Sequence, residues 1–91
     1  MKYYLVKVHF DNRGSGWHMI RAKSKEDALK IREKYGISYP RFASDIKFVS
    51  IKLLDLNIPE NVQRLKRRRQ HHGGSVWYEE NNQLKTETNE N

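Results

Sequence analysis

The sequence contains no cysteine, only two prolines and no long apolar run. Without thiols the chain can form neither a disulfide nor a zinc site with thiolate ligands. No segment approaches the ~20 consecutive apolar residues that a membrane-spanning helix needs, and the N-terminal MKYYLVKVHF lacks the apolar stretch of a signal peptide. Only 36% of the 91 residues are hydrophobic, so the core is small. We therefore expect one small domain in a reducing compartment such as the cytoplasm.

Charge is plentiful but unevenly distributed along the chain. The formal net charge is +7. Residues 1–63 contribute +5, residues 64–72 another +5, and residues 73–91 contribute −3. A basic body followed by an acidic tail favours anionic partners, which means a nucleic acid or an acidic protein surface.

Alternation of apolar and polar residues predicts three strands, over residues 3–10, 17–22 and 46–54. A helix is expected between the second and third strands. Ser24 has the chemistry of an N-cap, and Gly36 suits the left-handed position that follows a helix. The apolar stripe of this helix needs a sheet face to cover.

A second, shorter helix is expected over residues 59–70, because Pro59 fits the first turn of a helix and Leu65 lies on an apolar stripe. After residue 74 the composition becomes polar and acidic, so residues 75–91 are expected to be a disordered tail. The predicted fold is α+β, a single domain over 1–74. It consists of a three-stranded antiparallel sheet in ββαβα order, one helix packed on a face, and a short basic C-terminal helix.

The second predicted helix ends in a basic run, in which five of the six residues from 64 to 69 are cationic. Arginine matches phosphate oxygens with two parallel donors, so RNA or DNA is the first interpretation. The helix dipole explains only two or three cations at a C-terminus. Binding to an acidic protein partner and plain solubility are the second and third interpretations. The candidate nucleic-acid-binding residues are Arg64, Lys66, Arg67, Arg68 and Arg69, extended by Lys7, Lys52 and, at the predicted hairpin tip, Arg13.

Four aromatic residues are candidate interface residues. Tyr3 and Phe48 fall on the sheet face away from the first helix, beside lysines, an arrangement typical of platforms that stack unpaired bases. The interpretation we favour is that the second helix or a second subunit covers this face, which allows a homodimer through a sheet face or edge. Trp77 and Tyr78 interrupt the polar tail and can form an edge strand, anchor in a partner or fold back. The acids that follow them can also compete for the arginine run.

No motif indicates catalysis or metal binding. His71 and His72 are adjacent, so on a helix they point about 100° apart and do not share a metal easily. The sequence contains no nucleophile elbow, carboxylate dyad or phosphate-binding loop. We expect no enzymatic activity, no metal and no cofactor.

The segment AKSKEDAL at residues 22–29 opens the first helix directly after two strands. In this respect residues 3–54 are similar to many small uncharacterised proteins of bacterial phages and plasmids. What the resemblance implies is an accessory protein of a mobile element that inhibits or modulates a host protein. The hypotheses are therefore a non-enzymatic nucleic-acid-binding protein, a module that binds a host protein, and a self-associating structural protein.

Overall fold

The computed structural model describes residues 1–11, 14–37, 46–70 and 76–87. Seven elements follow one another along these residues. They are β1 (Lys2–Phe10), β2 (Gly14–Ala22), α1 (Lys25–Tyr35), β3 (Ile46–Leu53), α2 (Pro59–Arg69), β4 (Val76–Glu80) and β5 (Gln83–Thr86).

The strands form one five-stranded mixed sheet in the order β3-β1-β2-β4-β5. β1 pairs antiparallel with both β2 and β3, β4 pairs parallel with β2, and β5 pairs antiparallel with β4. The expectation of a three-stranded antiparallel sheet is therefore wrong. The class stays mixed α and β, but the sheet has two more strands and one parallel pairing.

The two helices lie on opposite faces of this sheet, and the topology explains why. β2, β3 and β4 all run in the same direction, so α1 and α2 are crossover connections between parallel strands. The first crossover moves across the sheet from β2 to β3, and the second moves back from β3 to β4. Crossovers keep one hand, so a reversal of direction transfers the helix to the other face. The expected arrangement, with only one helix packed on the sheet, is wrong for this reason.

α1 is defined at both ends and packs along its length. The Ser24 hydroxyl accepts a hydrogen bond from the backbone N–H of Asp27 at 3.1 Å, and Gly36 adopts φ 62° at the C-cap. Both features satisfy backbone groups that a helix end leaves without partners. The buried residues of this layer are Tyr4, Val6, Ile20, Ala22, Ala28, Ile31 and Ile37.

α2 covers part of the other face and is attached more sparsely. Its N-cap, Ile58, makes no side-chain cap hydrogen bond, and Leu65 is its buried residue. Leu65 packs in a smaller cluster with Met19, Leu54 and Val76. The second helix therefore adds a small apolar contact and a large number of cations to its face of the sheet.

The segment expected to be disordered contributes β4 and β5. Val76 is fully buried against Met19, and Trp77 packs against the cluster under α1. Asn81 and Asn82 both have positive φ, 52° and 59°, which is the geometry of a tight hairpin turn. The expectation of disorder is wrong for residues 76–87. The predicted boundary at residue 74, and residues 88–91, lie outside the described residues.

Candidate functional site

The arginines of α2 divide between two flanks of the helix. Leu65 points into the sheet, and successive residues of a helix differ by about 100°. Arg68 and Arg69 therefore leave the helix on opposite sides of Leu65. Arg64 and Arg67 share the side of Arg68. We call the flank with Arg64, Arg67 and Arg68 the open end of the basic run, and we call the flank with Arg69 its closed end.

The open end surrounds the indole of Trp17, which extends from β2 on the α2 face. The guanidinium carbon of Arg68 lies 3.3 Å from the centre of the Trp17 ring, and that of Arg64 lies 6.0 Å from it. Together with Arg67 these residues line a surface groove of about 390 Å³. A guanidinium that lies flat on an aromatic ring does not use its N–H donors for that contact, because the donors lie in its own plane.

A smaller hollow of about 140 Å³ continues the groove across the sheet. It shares Trp17 and Arg64 with the groove and adds Leu5 and Lys7 of β1. Lys7 pairs with Trp17 across the β1–β2 hairpin, so the two side chains share one face. The lysine predicted to extend the basic track therefore does lie beside the groove.

The positive charge at the open end is not balanced by an ion pair with any acid among the described residues. Within the described parts of the chain, no carboxylate pairs with Arg64, Arg67 or Arg68. Burial, and after it the charge of Arg64, lowers the pKa of the Arg68 guanidinium. A lowered arginine pKa means that the surroundings disfavour its charge. An anion in the groove would relieve that cost.

The closed end is occupied by Glu87, just after β5. One carboxylate oxygen of Glu87 forms an ion pair with Arg69 and accepts a hydrogen bond from the Tyr3 hydroxyl at 2.6 Å. The other oxygen accepts from Arg21 at 2.8 Å. The Glu87 side chain is only 14% exposed. This carboxylate fastens the last strand to both α2 and the sheet.

The pKa shifts at the closed end agree with this geometry. Burial, and then the hydrogen bond to Glu87, raises the pKa of the Tyr3 phenol. Burial alone would lower the pKa of Arg69, but the hydrogen bond and charge of Glu87 raise it overall. Both groups keep their protons and act as fixed donors.

The acids of the β4–β5 hairpin do not cover the groove. Glu79 accepts hydrogen bonds from Lys34 and Tyr35 of α1, at 2.6 and 2.5 Å, on the far side of the sheet. Glu80 pairs with Lys85 within the hairpin. Among the described acids that follow Tyr78, only Glu87 reaches the basic run, and it reaches Arg69 alone.

The other predicted site residues do not line the groove. Lys52 and Phe48 are exposed on β3, on the α2 face, and Lys66 is exposed on α2.

The remaining aromatic candidates pack within the fold. Tyr78 lies under the guanidinium of Arg21, whose central carbon is 4.2 Å from the centre of the ring. Trp77 packs on the α1 side and Tyr3 belongs to the closed end. Arg13 lies outside the described residues.

His18 occupies a buried position on the α1 face of the sheet. The residue is 4% exposed, and neither ring nitrogen has a hydrogen-bond partner among the described residues. Burial, followed by the positive charges of Arg32 and Arg68, lowers the pKa of His18 from 6.5 to about 4. The ring is neutral at physiological pH. No group of three or more metal-ligating side chains occurs in the ranges that the structure describes.

Three residues of the site do not appear among the sequence-based candidates: Trp17, Arg21 and Glu87. The alternation in β2 places Trp17 and Arg21 on one face, and the pairing of Lys7 with Trp17 follows from hairpin register. Those signals were available in the sequence. The partnership of Glu87 with Arg69 was not, because it depends on β5 lying at the far edge of the sheet.

The comparisons with known proteins add no relative. No family model, no curated protein and no solved structure matches this chain. In the part of the chain that the structure describes, no helix has the length and apolar character to cross a membrane.

Proposed function

We propose that the protein is a non-enzymatic nucleic-acid-binding protein whose binding surface is the groove around Trp17. The observation that carries the proposal is the cluster formed by Arg64, Arg67 and Arg68, which line one groove and have no carboxylate partner among the described residues. Lys7 extends the same positive surface across β1. A reducing compartment such as the cytoplasm is the setting that we propose, since the chain has no cysteine to oxidise.

The chemistry of the groove suits phosphate. A guanidinium that stacks on an indole keeps its in-plane donors for an oxyanion, and it is positioned before the ligand arrives. Each phosphate that is neutralised releases condensed cations, so affinity should fall steeply as salt rises. Contacts to phosphate carry no sequence information, and binding should therefore be largely independent of base sequence.

The experiment compares two triple variants that lose the same charge. R64A/R67A/R68A removes the open end, and K23A/K25A/K30A removes three exposed cations near or on α1, on the opposite face. With a fluorescent 12-nucleotide oligomer at low salt, we expect the arginine variant to lose roughly 100-fold or more in affinity, for three charge-assisted contacts. The lysine variant should lose much less.

Two results would refute the proposal. One is an equal loss in both triple variants, which would show that net charge alone attracts the oligomer. The other is the absence of wild-type binding at low salt. Circular dichroism of each variant confirms that the fold is retained, which we expect because Arg64 and Arg67 are exposed.

A second candidate function is binding to a host protein. The observation in its favour is a pair of exposed large apolar side chains just before α2. Leu56 and Ile58 are 41% and 44% exposed, and contiguous exposed apolar side chains mark protein interfaces. An acidic partner could then meet the arginines as well. If nuclease treatment does not change the capture of a partner, and the protein binds no oligomer, this function is favoured.

Self-association through the outer edge of β3 stays a third proposal, tested by sizing chromatography.

A further inference from the structure

A strip of sheet beside the groove is left uncovered by α2. It consists of the side chains of β1 and β3 that point to the α2 face, and we call it the uncovered strip. Its members are Leu5, Lys7, His9, Phe48, Ser50 and Lys52. The strand pairing places them in three rows, because Leu5 faces Lys52, Lys7 faces Ser50, and His9 faces Phe48.

The groove and the uncovered strip form one continuous surface. Lys7 pairs with Trp17 on one side and with Ser50 on the other, so this row runs from the arginine groove to the outer strand. Phe48 is one row further along β3, about 7 Å for two strand residues. Lys52 lies one row in the opposite direction. Two lysines and one exposed aromatic ring thus lie within a short distance of one another beside the arginines.

Phe48 presents a flat ring to the outside. The rings of Phe48 and His9 are stacked with centroids 4.0 Å apart and planes 15° apart. His9 is further held by a hydrogen-bonding contact of 3.2 Å with Ser50. Phe48 is 50% exposed although it is a large apolar residue. His9 therefore covers one face of the Phe48 ring, while half of the Phe48 residue remains exposed to solvent.

We propose that the groove and the uncovered strip together bind single-stranded nucleic acid. The phosphates contact Arg64, Arg67 and Arg68, and an unpaired base stacks on Phe48. The inference rests on the proposed function and names its substrate class. A duplex does not fit this chemistry, because its bases are already stacked on one another and extruding one costs a few kcal/mol. An unpaired base meets a supported aromatic ring without that cost.

The test measures two ligands and two matched variants. The ligands are a 12-nucleotide oligo(dT) and a 12-base-pair duplex of mixed sequence, with oligo(rU) as the RNA arm. Phe48→Ala removes the stacking ring. Leu53→Ala is the control, since Leu53 lies on the same strand, is similarly exposed, and faces the α1 side. Because base stacking on an aromatic residue is worth roughly 1–3 kcal/mol, F48A should lose at least ~5-fold in single-strand affinity.

The duplex affinity of F48A should stay within twofold of wild type, and F48W should retain single-strand affinity. L53A should bind both ligands as wild type does. Equal loss of single-strand and duplex affinity in F48A, or no loss at all, overturns the single-strand inference while the proposed function stands. Absence of wild-type binding to all three oligomers at low salt overturns the proposed function itself.

Discussion

The two helices cover opposite faces of one sheet, yet they are built differently. α1 has a side-chain N-cap, a glycine C-cap and three buried residues, Ala28, Ile31 and Arg32. α2 has no side-chain N-cap bond and buries Leu65 alone, while its last turn carries four cations. α1 therefore completes the core, whereas α2 buries little apolar surface and mainly presents positive charge.

This difference shows that the fold is less stable at α2 than it could be. A helix that served only the core would place apolar residues on both flanks of Leu65. Here the flanks are arginines, which contact Trp17 and Tyr3 through cation–π interactions. Such contacts contribute roughly 0.5–2 kcal/mol each, less than a buried leucine. The α2 positions beside the sheet are thus occupied by charged residues, although apolar residues there would stabilise the fold more.

The largest expected effect is on the attachment of α2. Leu65→Ala removes the buried residue of this helix and should cost about 3–4 kcal/mol. Because α2 has little other apolar contact, the loss should appear as local opening. Hydrogen exchange should accelerate in residues 59–69 while the amides of β1 keep their protection. Ile31→Ala, the matched change in α1, should instead accelerate exchange throughout the sheet. If L65A also exposed β1, the two helices would not differ in the way described.

The next effect concerns pH, through the buried histidine on the α1 face. The folded-state pKa of His18 is about 4, against an ordinary 6.5. The folded protein therefore disfavours the charged ring. The free energy of unfolding is unaffected by His18 above pH 6.5, where the ring is neutral in both states. It decreases as the pH falls from 6.5 through 4, because the unfolded chain then binds a proton that the folded protein disfavours. Two and a half pKa units correspond to ~3 kcal/mol.

The measurement is the free energy of unfolding at pH 7 and pH 4 for wild type and His18→Leu. Carboxylates contribute acid sensitivity to both proteins, so the difference between them isolates the histidine. The leucine variant should lose about 3 kcal/mol less than wild type over this range. Parallel losses in the two proteins would mean that His18 titrates normally in the fold.

A smaller effect separates the closed end of the basic run from its open end. Glu87→Gln keeps the shape of the side chain but leaves Arg21 and Arg69 close together without a counter-charge. We expect a loss of about 2 kcal/mol in unfolding free energy, because this pair is largely shielded from water. Glu80→Gln is the control, since Glu80 is 53% exposed and pairs with Lys85 at the surface, and its effect should be much smaller. Similar losses of unfolding free energy in both variants would show that Glu87 does not have the structural role described.

Sequence patterns located α1, α2 and the first three strands to within a few residues, because their apolar periodicity and caps are local. They failed for β4 and β5. Val76 and Trp77 are the main apolar residues of that segment, and their burial depends on β2 lying beside them. The tight turn at Asn81 and Asn82 was the local signal for the hairpin.

The candidate site divides in the same way. The groove residues Arg64, Arg67 and Arg68 follow from helical spacing, and the position of Lys7 beside Trp17 follows from hairpin register. The separation of Arg69 from the rest does not. It requires the acid after the last strand to return to α2, which no pattern of neighbouring residues encodes.

Binding of nucleic acid by α2 is tested most directly by an NMR titration of the wild-type protein with a 12-nucleotide oligo(dT). We predict that chemical shift changes concentrate at the groove, on Lys7, Trp17, Arg64 and Arg67, and extend to Phe48. Residues of α1 should not move. If the largest changes fell on α1, or on Leu53 to Ile58 with none at the groove, the assignment of α2 as the binding element would be wrong.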